Sequence, residues 1–270
     1  MKYIVRKWTL HISLILVASV MVGCATVPIT GRKQLNLVSD TEMMAMSFSQ
    51  YEQFLNENKL STNKQQTEMV KRCGKKIAAA VEQYMNDNGY AAHIKDFQWE
   101  FNLVDDDTPN AWCMPGGKVV FYTGILPFTK TEEGLAVVMG HEIAHAVAKH
   151  GNERMSHQMG VQMGGAALSV AIDEKPEETK AIYMAAFGVG SQVGFMLPYS
   201  RTHESEADKM GLIFMAMAGY NPEAAVPFWE RMAASGGQKP PEFLSTHPAE
   251  ATRISNLKAY MPEALKYYNK

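Results

Sequence analysis

Residues 141–145 read His-Glu-Ile-Ala-His, and the pentapeptide makes chemical sense on a helix. Histidines four apart share one helix face, a turn from each other, so both imidazoles can reach a single cation. The glutamate between them stands beside the first ligand, where it can take a proton from metal-activated water. The flanks predict such a helix. Thr129 and Glu132 have capping-box spacing. Leu135, Val138, Met139, Ile143, Ala146 and Val147 recur at roughly helical spacing. Gly151 is the predicted stop, with Lys149 and His150 in the last turn.

The 270 residues, 46% hydrophobic and 20% charged, suit one domain with a substantial core. Lys2, Arg6 and Lys7 precede an apolar stretch from Ile12 to Val22, the pattern of a signal peptide over residues 1–23. That stretch is short for a membrane span. Met21-Val22-Gly23-Cys24 looks like a bacterial lipobox. It predicts lipidation of Cys24 and attachment to a membrane through that N-terminal lipid. Ala25 at the next position favours the outer membrane, facing the periplasm. Removal of residues 1–23 leaves 23 basic and 28 acidic residues, net −5, with no basic cluster, which argues against nucleic acid as a partner. Cys73 and Cys113 remain as a candidate disulfide or as two separate buried thiols.

Residues 24–39 hold Pro28, Gly31 and few apolar anchors and read as a tether, leaving 40–270 as the folded domain. Helices are expected over 40–58 and 64–86, capped by Asp40 and Thr62. Strands are expected over 97–104, where apolar and polar residues alternate, then 110–114 and 118–122. A small sheet followed by the His-Glu-Ile-Ala-His helix is an α+β arrangement. The Ala/Gly/Met-rich runs 159–172 and 181–197, separated by the charged stretch 173–180, read as two short packed helices rather than spans. An apolar flap touching membrane or substrate is the other reading. Further helices are expected over 222–235 and 248–260, flanking a Gly/Pro-rich loop at 236–241 and a segment carrying His247.

A catalytic zinc takes three protein ligands and keeps one open position. His203 to Asp208 supplies the missing ligand. Glu204 and Asp208 are four apart on one helix face. Glu204 can bind the metal while Asp208 accepts the N–H of a ligand histidine and sets its tautomer. Glu206 is the second choice for the ligand and points in a different direction.

Taken together, these residues resemble metallopeptidase family 48, the HtpX and CaaX prenyl protease type, in its bacterial lipoprotein branch. The resemblance is carried by Asn110-Ala111 followed by Pro115-Gly116-Gly117, by His141 to His145, by Ser200-Arg201 and by Glu204 to Asp208. Thr246-His247-Pro248 and Gly31-Arg32-Lys33-Gln34-Leu35 also fit. It implies a mainly helical gluzincin fold and one zinc ion per chain held by His141, His145 and Glu204. Glu142 is then the general base and Asp208 the supporting carboxylate. It further implies that Asn110 and Ala111 belong to an edge strand beside the cleft, where a peptide adds as an extra strand. His247, Tyr199, Arg201 and Arg253 are candidate oxyanion donors. In some relatives a histidine in a Ser-Thr-His-Pro setting closes onto zinc, so His247 is equally a candidate latch. The expected activity is zinc-dependent hydrolysis of unfolded or misassembled envelope polypeptides, with the outer-membrane assembly machinery as an expected partner. The alternative is a lipid-anchored, chaperone-like binding protein with latent protease activity.

Overall fold

The computed structural model describes residues 24–235, 242–247 and 251–268. The expected signal peptide, the loop 236–241 and Pro248 lie outside the described residues.

Residues 24–39 are not a tether. β1 (Cys24–Thr26) and β2 (Lys33–Leu35) pair antiparallel, Cys24 opposite Leu35. Ile29 and Gly31 take positive φ in the connecting turn. Val27 is wholly buried in the main core and Gln34 is buried as well. A three-residue strand carries too little apolar periodicity to be read locally; distant packing holds it.

Two long helices follow, α1 (Asp40–Glu57) and α2 (Lys64–Asp87). Their caps sit one residue from the expected ones. Ser39 forms a full capping box with Glu42, and Asn63 accepts from the Gln66 amide. After the short α3 (Ala91–Ile94) come β3 (Glu100–Val104), β4 (Ala111–Met114) and β5 (Lys118–Tyr122). The sheet order is β3-β5-β4, with β3 parallel and β4 antiparallel to β5. β4 is therefore an edge strand, and the sheet is mixed.

A single-turn α4 (Leu126–Thr129) precedes α5 (Glu132–Val147), the helix that carries His141 to His145. Thr131, not Thr129, is its N-cap, accepting from the Gly134 amide; Thr129 is buried and donates to the Leu126 carbonyl. The helix stops before Gly151. Lys149 turns the chain at φ 57, and α6 (His150–Ala171) begins at once.

α7 (Glu177–Ser191) packs on α6, with Phe187 resting over Gly164 and Gly165. The runs expected to form two short helices do meet, but no residue of α7 is buried. Met163, Val170, Ile182 and Val189 stand 65–79% exposed. Nor is the second run a separate short helix. A π-turn at Gln192–Met196 leads directly into α8 (Leu197–Met217). Glu177–Met217 is thus one helix of 41 residues, long and apolar enough to cross a membrane by length and composition. The chain closes with a 3₁₀ turn (Pro222–Ala224), α9 (Ala225–Ala234), α10 (Glu242–Thr246) and α11 (Ala251–Ala264).

The core lies where α2, α5 and α8 pack beside the sheet. α5 and α8 make the closest helix pair. Their backbones touch at Gly140 and Gly211: a Cβ on Gly140 would fall 2.8 Å from the Gly211 carbonyl oxygen, and one on Gly211 would fall 2.9 Å from the His141 amide. Glycine at both crossing points is what allows side chains one turn away to converge.

Cys73 and Cys113 do not pair; both thiols are free. Cys73 is buried on α2 against Tyr220, whereas Cys113 lies on β4 within the field of Glu142.

Candidate metal centre

Four side chains from three elements meet at one point. α5 contributes His141 and His145, α8 contributes Glu204, and the residue after α10 is His247. One donor atom from each lies within 4.8 Å of all the others. His141 Nε2 is 3.1 Å from His145 Nε2 and 3.1 Å from His247 Nδ1. Glu204 places its oxygens 3.3 Å from both helix histidines and 2.9 Å from His247 Nδ1.

This spacing fits a tetrahedral ion. Zinc bonds of about 2.0–2.1 Å put neighbouring donors about 3.3 Å apart. The hydrogen-bond pattern fits too. Asp208 Oδ1 lies 3.0 Å from His141 Nδ1. The ring proton therefore sits on Nδ1, and Nε2 presents a lone pair to the cluster. His145 is arranged alike: its Nδ1 meets His150 Nδ1 at 2.8 Å, and burial holds its pKa well below the ordinary value, in the neutral ligating form. Lone pairs and a carboxylate aimed at one point suit a cation. His141, His145, Glu204 and, as a fourth donor, His247 are the residues that would hold it.

Asp208 has a partner that the sequence did not single out for this role. Arg253, on α11, grips it with Nε at 2.8 Å and Nη2 at 2.6 Å, while its guanidinium carbon lies 3.3 Å from the centre of the Trp229 ring. Arg253 also comes within 3.3 Å of Glu204. It is buried, and this oxyanion candidate braces the carboxylates Asp208 and Glu204. Tyr199 packs on His157, ring centres 4.0 Å apart, and Arg201 is exposed beside a cavity that Glu204, Asp208 and Arg253 also line. Glu206, the second choice for a ligand, turns away to His150 Nε2 at 3.1 Å.

Glu142 is buried, and its Oε1 makes no hydrogen bond to a described residue. His247 Nε2 stands 3.4 Å from that oxygen. Burial raises the Glu142 carboxyl above the usual range, opposed by His247 and His141. A base shifted toward neutrality both accepts and releases a proton readily. Beside it opens a cavity of about 300 Å³ lined by Ala111, Trp112, Glu142, His145 and His247. One wall is the edge strand β4. Asn110 and Ala111 border it, with Asn110 Oδ1 accepting from the Ala111 amide and its carbonyl from Tyr122.

Comparison with known proteins shows the family. The model of Peptidase family M48 matches residues 72–261. Mitochondrial metalloendopeptidase OMA1 of Schizosaccharomyces pombe is 35% identical over 88% of this chain and 66% of its own length. Metalloendopeptidase OMA1, mitochondrial, of Homo sapiens is 31% identical over 88% of the chain and 46% of its own length. The Beta-barrel assembly-enhancing protease of Escherichia coli is 28% identical over 64% and 37%. The chain thus spans two thirds or less of these relatives. The expected placement as a bacterial outer-membrane lipoprotein facing the periplasm is overturned: the relatives that match at higher identity and greater coverage are named as mitochondrial proteins. A four-residue lipobox is a short motif, outweighed by similarity over most of the chain. With the family model covering the segment that holds every donor atom of the cluster, the chain belongs to Peptidase family M48.

Proposed function

We propose that the protein is a zinc-dependent endopeptidase that cleaves extended or unfolded polypeptide. One observation carries the reading: the four-donor cluster lies next to a buried carboxylate whose Oε1 has no hydrogen-bond partner among the described residues. A binding protein has no use for that combination, whereas hydrolysis needs both parts.

A zinc ion held by His141, His145 and Glu204 would supply Lewis acidity and lower the pKa of a water molecule toward neutrality. Glu142 accepts the proton of the attacking water and returns it to the leaving amine. Asp208, clamped by Arg253, keeps the His141 proton on Nδ1 and the ring in place. The edge of β4 offers backbone N–H and C=O groups to a substrate backbone, which orients a peptide without reading its side chains. Unfolded or misassembled chains fit such a site, because a folded substrate has no free strand to lend.

The proximity of His247 to both the donors and Glu142 supports a latent resting form. His247 would be the fourth donor to such an ion, and its Nε2 lies 3.4 Å from Glu142 Oε1. A metal-fold protein that binds but hardly cleaves is the competing reading, and Glu142 separates the two. Wild type and Glu142→Gln are compared on unfolded casein with zinc. The variant is expected to lose about 10²–10⁴-fold in rate and to retain zinc. Equal cleavage by both would reject Glu142 as the base, and no cleavage by either would favour the binder.

A further inference from the structure

Arg32 lies far from the ligands in sequence yet sits at the end of a hydrogen-bonded line that reaches one of them. It occupies the turn of the N-terminal hairpin and points into a pocket of buried acids and histidines. Its Nη1 and Nη2 donate to the two Glu153 oxygens at 2.7 and 2.6 Å. Its Nε and Nη2 donate to the two Glu206 oxygens at 3.0 and 2.8 Å. One guanidinium therefore holds two carboxylates, each through both oxygens, a geometry that the fork of arginine makes and lysine cannot. Thr30 of the same turn donates to Glu206 Oε1 at 2.6 Å.

From Glu206 the line continues through histidines. Glu206 Oε2 is 3.1 Å from His150 Nε2, and His150 Nδ1 is 2.8 Å from His145 Nδ1. With His150 neutral, one proton arrangement satisfies the line from Arg32 to His145. Glu206 is ionised between Arg32 and Thr30, so it accepts, and His150 carries its proton on Nε2. A neutral His150 then presents a lone pair at Nδ1, and His145 must donate from its own Nδ1. His145 Nε2 is left as the lone pair that faces the donor cluster. The arrangement matches Asp208 behind His141, except that here a chain of four residues reaches back to the N-terminal hairpin.

We propose that Arg32 is a positioning residue for the metal centre, acting through Glu206 and His150 to fix the tautomer and orientation of His145. The hairpin is then part of the site and not only an anchor. This inference rests on the zinc reading above.

The test measures zinc affinity of the full chain by chelator competition, alongside the melting temperature of each metal-free protein. Wild type is expected to bind one zinc. Arg32→Ala is expected to bind zinc about 10–100-fold more weakly, and Arg32→Lys is expected not to restore it. His150→Phe is expected to weaken binding similarly, and the double variant no further, since both act on one line. A lower melting temperature with unchanged zinc affinity in Arg32→Ala, or independent multiplying losses in the double variant, overturns the proposal. Should Arg32→Ala fail to fold, Glu206→Gln is read instead: weaker zinc binding supports the line and unchanged binding overturns it. A wild-type chain that binds no zinc refutes the zinc reading itself, whereas wild-type binding matched by the variants refutes only the role of Arg32.

Discussion

His247 meets Glu204 at 2.9 Å and His141 at 3.1 Å through one ring nitrogen and approaches Glu142 at 3.4 Å through the other. On the proposed reading, this one side chain would take the fourth donor place and lie over the base. Removing it should uncover both. His247→Ala is expected to raise casein cleavage about tenfold, the change produced when a form closed nine-tenths of the time is opened, with zinc still bound by the other three ligands. Unchanged zinc occupancy and unchanged rate together would reject the latch. At this scale the ligands were legible because i,i+4 spacing is a local property: His141 with His145, and Glu204 with Asp208. Arg253 and His150 were not legible as braces. Arg253 reaches Asp208 from 45 residues away, and His150 looked like the end of a helix that had in fact already stopped at Val147.

The crossing of α5 and α8 at Gly140 and Gly211 decides whether those spacings matter. A methyl group on Gly211 would press on the His141 amide at 2.9 Å, and neither backbone can yield without moving its ligands. Gly211→Ala is expected to cost about 1–3 kcal/mol of stability and to weaken zinc binding, measured by denaturant unfolding and by chelator competition. Full retention of both would show that the helices have slack there. Helices and strands with their own periodicity were readable to within a few residues, β5 among them. The β1–β2 hairpin was not, because its strands are three residues each and Arg32 finds its acids 121 and 174 residues away. The join of α7 to α8 was also hidden. A π-turn at Gln192–Met196 carries the helix on past residue 197, where the expected short helix ended.

Across the whole molecule, the N-terminal hairpin is tied to α6 and α8 through buried charge. Burial would raise the Glu153 carboxyl, but Arg32 and His203 hold it down at about 2. The folded carboxyl thus titrates below its ordinary value of 4.5. Its stabilising effect is full above pH 4.5 and is lost as pH falls toward 2. Wild type is expected to lose more stability between pH 5 and pH 3 than Glu153→Gln does, measured by urea midpoints at each pH. Equal losses would mean that the pair contributes nothing across that window.

The 41-residue helix has a mechanical consequence. Its first half holds no buried residue and exposes Ile182 and Val189, while its second half carries Glu204 and Asp208. A helix transmits displacement along its axis, so a force on the exposed half reaches Glu204 through the same backbone. The π-turn between them is where that backbone changes its hydrogen-bond pattern. One continuous backbone therefore joins an exposed apolar segment to the candidate site.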